Sequence, residues 1–171
     1  MTYYNLIYNY GGKKFINDAK KAGVDGAIIP DLPFDQEQDF HRHASEKDFY
    51  LIYLVSPANG QARIKKIVEK TKGFVYYILL KGVTGVRSRS EADFSNIKSI
   101  KKFTKKPVFA GFGISKPKDA KAAFKHADGV IIGSAFVDII ARYGRSKARL
   151  FKETGSFIKK FIREALNAKK R

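Results

Sequence analysis

Three glycine turns are the residues whose type and spacing could do chemistry. "KGVTGVRS" (81–88) follows the apolar run "FVYYILL" (74–80). "GFGIS" (111–115) closes the run "PVFAGF" (107–112), and Gly133-Ser134 closes "GVIIGS" (129–134). Glycine at the end of a strand lets backbone N–H groups come close to a ligand. A helix that begins just beyond adds unpaired N–H groups and a positive dipole end. Gly111, Phe112, Gly113, Gly133 and Ser134 are therefore candidates for a phosphate cradle. Tight turns and close strand–helix packing would account for the same glycines, and both readings stay open at this level. Other groups offer less. His41 and His43 in "DFHRHAS" are two apart and do not share a helix face, so no metal pair is expected. His126 stands near a predicted helix end, where the C-terminal dipole would favour it. There is no cysteine, which excludes disulfides and thiolate metal sites.

The turns need elements to position them, and the sequence alternates accordingly. Apolar, β-branched runs at 5–9, 26–31, 50–55, 74–80, 107–112 and 129–134 recur at intervals of about 20 to 35 residues, the length of a βα unit. Runs that are apolar almost throughout suit parallel strands buried on both faces. Between them, Ile64, Ile67 and Val68 share one helical face, and Phe94, Ile97, Ile100 and Phe103 share another. Ser115 and Pro117 suit the start of a third helix. Residues 146–171 read as a terminal helix and basic tail, with Phe157, Phe161 and Leu166 near one face. One domain over 1–171 follows, a parallel sheet with helical crossovers and its ligand at the strands' C-terminal ends.

Hydrophobic residues make up 44% of the 171, enough for a core and too many for a disordered chain. Lys plus Arg number 34 against 16 Asp plus Glu, a net charge of +18. That field attracts polyanions and phosphorylated metabolites, but the lysines are dispersed over predicted helices, which suits non-specific attraction. No helix-turn-helix, aromatic-plus-basic RNA motif or zinc site accompanies the charge. No apolar run approaches a bilayer-spanning length, and the start lacks the order of a signal peptide. No membrane association and a cytoplasmic location are expected.

Taken together, "MTYYN", "AGVDGAIIPDLP", "GFVYYI", "GVTG", "GFGIS" and "ADGVIIGSAFV" resemble, in that order, the alpha subunit of tryptophan synthase over about residues 1 to 140. The resemblance implies a TIM-type (β/α)₈ barrel. It implies a lyase that cleaves indole-3-glycerol phosphate by a retro-aldol step into indole and glyceraldehyde 3-phosphate, in tryptophan biosynthesis. Gly85, Gly113, Gly133 and Ser134 then fall on the phosphate-binding set, with Gly111 in the same turn. Phe112 falls on the aromatic that packs against indole, and Tyr76 on the tyrosine beside the glycerol phosphate. Thr84 falls on the threonine of the loop that closes the site. Leu79, Leu80 and Lys81 stand where the family usually has a polar residue.

The resemblance also places Met1 at the start of the family's third strand. The first two βα units, which carry the catalytic glutamate and the aspartate that holds the indole N–H, would precede it. No catalytic residue is therefore expected on this chain, and Asp31 of "IPDLP" is the nearest remaining carboxylate. About six parallel βα units remain, with open edges at 5–9 and 129–134. The partners implied are a phosphorylated substrate, the beta subunit and a chain supplying strands one and two. No cofactor belongs to this chain; pyridoxal phosphate belongs to the beta subunit. The alternatives are another phosphate-binding barrel enzyme and a non-catalytic basic protein that binds polyanions.

Overall fold

The computed structural model describes residues 1–79 and 93–169. Two helices open the chain, α1 (Tyr4–Tyr10) and α2 (Gly12–Lys21). There follow β1 (Gly26–Ile28), α3 (Gln38–Glu46), β2 (Tyr50–Ile52), β3 (Leu54–Val55), α4 (Gln61–Lys70) and β4 (Val75–Ile78). Then come α5 (Ser95–Phe103), β5 (Val108–Gly111), α6 (Pro117–Phe124), β6 (Gly129–Val130), α7 (Ser134–Tyr143) and α8 (Lys147–Lys169). Every strand pairing is parallel, and each strand lies beside its neighbour in the chain: β1 with β2, then β3–β4–β5–β6. The expected α/β class of parallel βα units is present. No helix among the described residues is long and apolar enough to cross a membrane.

Strand alternation divides the sheet into two faces. Val75, Tyr77, Val108 and Ala110 join Ile64, Ile67 and Val68 of α4 and Ile97 and Ile100 of α5 in one apolar cluster. Helices cover this face, as the 3.6-residue stripes require. Tyr76 and its register partner Phe109 point to the opposite face, together with Gly111. That second face leads to the candidate site.

Three expected strands turn out otherwise. The run 5–9 is part of α1, and of its residues only Ile7 is buried. The extended segment lies just before it, where the Thr2 N–H donates to the Ile28 carbonyl at 3.1 Å. Asp31 then accepts the Tyr4 N–H at 2.9 and 3.1 Å, satisfying a donor at the start of α1. One buried position in about two turns fits a helix lying on a surface; a strand buried on both faces would have hidden Leu6 and Tyr8 too. The run 50–55 is interrupted at Tyr53, so that β2 pairs with β1 and β3 pairs with β4. In the run 129–134, only two residues form β6, although the Ile131 N–H still reaches the Ala110 carbonyl at 2.8 Å. The third helix begins one residue later than expected, with Pro117 first and the Asp119 carboxylate accepting the Lys116 N–H at 3.1 Å.

Asp128 ties β5 to the start of β6. It accepts the Val108 N–H at 2.8 Å and a Lys101 Nζ proton at 2.9 Å. Burial pushes its carboxyl up, but these donors outweigh burial and hold it below the usual carboxylate range. The ionised form is thus favoured in the fold. Its contribution is complete above the unfolded value near pH 4 and is lost as pH falls through the depressed folded value. Asp128→Asn is expected to cost about 1 kcal/mol at neutral pH, since a charge-assisted bond is about twice as strong as a neutral one. Urea unfolding of both proteins across pH should show the gap closing below about pH 4.

Candidate active site

The C-terminal ends of β4, β5 and β6 carry six of the expected residues. β5 ends at Gly111, and the chain then takes two consecutive left-handed residues, Phe112 at φ 67° and Gly113 at φ 72°. Glycine accepts that conformation freely; a phenylalanine there is uncommon and stands out. The turn lifts the Phe112 ring into the open, 46% exposed, with its edge toward Tyr76 at a centroid distance of 5.9 Å and 70° between planes. Tyr76 is buried, which raises the pKa of its hydroxyl, while the Phe112 N–H opposes that shift. The two rings make one apolar wall with a polar tip.

The three glycines differ in what requires them. Gly111 is fixed by packing: a Cβ there would run into the Tyr76 hydroxyl and stand 2.5 Å from its Cζ. Gly113 is fixed by its left-handed backbone. Gly133 is required by neither among the described residues, because an added Cβ would meet none of their atoms within 4 Å and φ is −109°. It forms the N-cap of α7 with no side-chain cap, and its carbonyl accepts the Phe136 N–H at 2.9 Å. Ser134 follows as the first residue of α7, exposed. An uncapped helix start with a bare, open N-cap leaves backbone donors to an anion.

Thr84 and Gly85 lie outside the described residues, as do Leu80 and Lys81. Leu79 is buried, and its N–H donates to the Gly111 carbonyl at 2.8 Å. Asp31, the nearest carboxylate in the sequence, is engaged with the start of α1. His41 and His43 part company: Nδ1 of His41 is 2.6 Å from the Tyr53 hydroxyl, whereas His43 Nε2 is 3.2 Å from Asn17 Oδ1. His126 stacks on Phe94, with centroids 4.8 Å apart.

Two residues that the sequence did not single out help to shape this end of the sheet. The Asn96 amide donates to the carbonyls of Ser56, Pro57 and Asn59 at 3.3, 2.9 and 3.2 Å, and so holds the turn after β3. Arg63 borders a cavity of about 220 Å³ with Phe34, Tyr53 and Ile78; its guanidinium lies 5.3 Å over the Phe34 ring and 3.7 Å from Asp35. An asparagine in a polar first turn and an arginine among many cations carry no distinguishing sequence signal.

Known proteins fit this geometry. The family profile described as "Tryptophan synthase alpha chain" matches residues 1–166. The tryptophan synthase alpha chain of Thermoanaerobacter sp. (strain X514) is 43% identical over 159 residues, 92% of this chain and 60% of that relative. The one from Methanocaldococcus jannaschii is 41% identical over 144 residues, 84% of this chain and 51% of its own. Among solved structures, the alpha subunit of Campylobacter jejuni superposes with a TM-score of 0.74 at 40% identity, covering 81% of this chain and 56% of that one. A chain from the tryptophan synthase α2β2 complex of Pyrococcus furiosus gives 0.77 at 31% identity, covering 95% and 63%. The chain thus spans about 60% or less of the length of these alpha-chain relatives. With strands, turns and matched length in agreement, the chain belongs to the tryptophan synthase alpha chain family.

Proposed function

We propose that this chain forms the phosphate- and indole-binding part of a lyase that splits indole-3-glycerol phosphate into indole and glyceraldehyde 3-phosphate. One observation carries the reading: among the described residues nothing lies within 4 Å of a Cβ placed at Gly133, its backbone is not left-handed, and it sits bare at the uncapped start of α7. A phosphate at that point would take backbone N–H bonds and the helix dipole. Tyr76 and Phe112 would then flank the glycerol chain and the indole ring.

The bond cleavage itself needs groups that hand protons to and from carbon and oxygen. Asp31 is occupied at α1. In our reading a second polypeptide, or a further segment, brings the two βα units with the catalytic carboxylates and the beta subunit docks as in the α2β2 relatives. Indole then passes to pyridoxal phosphate on that beta subunit, so no cofactor is needed here.

The test is a titration with glycerol 3-phosphate against glycerol, at low and high salt. The phosphate ester should bind in preference at both salts, because general attraction to +18 fades with screening. Gly133→Thr keeps a capping residue and should leave stability within about 1 kcal/mol while abolishing the preference. Equal binding of ester and alcohol, or a preference that survives Gly133→Thr, would remove the phosphate site.

A further inference from the structure

One face of α8 has no function in the reading above. Its buried side is set by Phe161, with Phe157 packed against the core. A second apolar stripe stands open, and Leu166, expected beside Phe157 and Phe161, belongs to it: Phe151, Ile158, Ile162 and Leu166, at 66%, 42%, 52% and 58% exposure, are spaced seven, four and four residues apart. Those intervals return to the same side of a helix. One residue further round runs a parallel basic row, Lys152, Lys159 and Arg163, with Lys160 beyond it. None of these four makes an ion pair with another described residue. Phe151 and the basic row line a trough of about 570 Å³ floored by Gly155 and Ser156.

Gly155 is the informative residue. It lies in the middle of a 23-residue helix, where glycine is the least favourable residue after proline. A Cβ there would meet nothing within 4 Å, so no contact inside the chain calls for its absence. A notch between an aromatic and two isoleucines lets another backbone come close, as small residues do at helix crossings. A bilayer surface has no use for a notch. A second copy of the chain would bring another +18 against the first.

We propose that the outer face of α8 docks an acidic amphipathic helix carried by a different polypeptide. Its apolar stripe covers Phe151, Ile158 and Ile162 across Gly155, and its carboxylates meet Lys152, Lys159 and Arg163. Charge complementarity along the rim selects the partner and speeds encounter. The inference deepens the complementation reading by giving the chemistry of one partner segment, and it can fail while that reading stands.

The probe is a labelled helical peptide of about 20 residues, with leucines in heptad spacing flanked by glutamates. The same peptide with lysines for glutamates is the control, and binding to the full chain is read by fluorescence anisotropy. The glutamate peptide should bind at least tenfold more tightly than the lysine peptide, and less so as salt rises. Ile158→Asp with Ile162→Asp should weaken it tenfold or more, as should Lys159→Glu with Arg163→Glu. Gly155→Leu should raise the thermal midpoint yet lower peptide affinity, a pair of opposite changes that a purely structural glycine would not give. Equal binding of the two peptides, or indifference to these substitutions, overturns the proposal. Binding to phosphatidylglycerol vesicles without binding to the peptide overturns it in favour of lipid. Self-association abolished by Ile162→Asp overturns it in favour of a second copy. Restored indole release on adding a chain of two βα units, unchanged in the α8 variants, would overturn the α8 proposal alone.

Discussion

The 171-residue chain, purified alone, is expected to release indole from indole-3-glycerol phosphate at no more than background rate. General acid–base catalysis contributes about 10²- to 10⁴-fold, and Asp31, the carboxylate that follows β1 in the sequence, is committed to the Tyr4 N–H. An open sheet also positions substrate loosely, and misplacement by an ångström can cost about another 10²-fold. A polypeptide that supplies two further βα units should raise the rate by at least about 10²-fold, followed by indole release in a continuous assay. Asp31→Asn should leave the rate of the lone chain unchanged, with its stability measured in parallel because the Tyr4 N–H exchanges a charged acceptor for a neutral one. Fast release by the lone chain that vanishes on Asp31→Asn would show that this carboxylate does the proton transfer, and the complementation reading would fall.

The second large effect is expected at Gly111. Gly111→Val forces a side chain into the Tyr76 ring, with Cζ only 2.5 Å from the new Cβ and Cε1 2.9 Å. Overpacking of this kind costs about 1–3 kcal/mol. Because Tyr76 packs edge-on to Phe112, displacing it also undoes the aromatic wall. The unfolding midpoint in urea should drop, and glycerol 3-phosphate binding should weaken with it. Combining Gly111→Val with Tyr76→Ala should recover part of the stability, because the clash is removed at its other partner. Additive costs in that double-mutant cycle would mean that the glycine serves something other than Tyr76.

The parts that were legible in the sequence are those with a strong period. Ile64, Ile67, Val68, Ile97 and Ile100 fall on stripes that only a helix against a sheet can bury, and all five are in the core, whereas Phe94 of the second stripe is partly buried and Phe103, at its end, is exposed. The helix start after Gly133 was legible in the run of strand, glycine turn and helix. The run 5–9 was not, since Tyr and Leu in a helix that exposes most of its residues imitate the composition of a strand. Burial, which composition does not report, decided between the two. The break at Tyr53 was equally hidden, because 50–55 is apolar throughout and only pairing partners distinguish its halves. The reasons for individual glycines needed coordinates: Gly111 answers to a tyrosine 35 residues earlier in the chain, and Gly133 to nothing within reach.

The order of the strands in space follows their order along the chain. On a ribosome, each βα unit that emerges finds its only sheet neighbour already made, so the structure can grow in one direction without waiting for distant segments. Such growth never has to close a long loop to win its next set of hydrogen bonds, which keeps the entropic toll of each step small. The edges beside β1 and β6 are the exception. Among the described residues β1 and β6 each pair with one strand only, and an unpaired strand edge is a template for another strand.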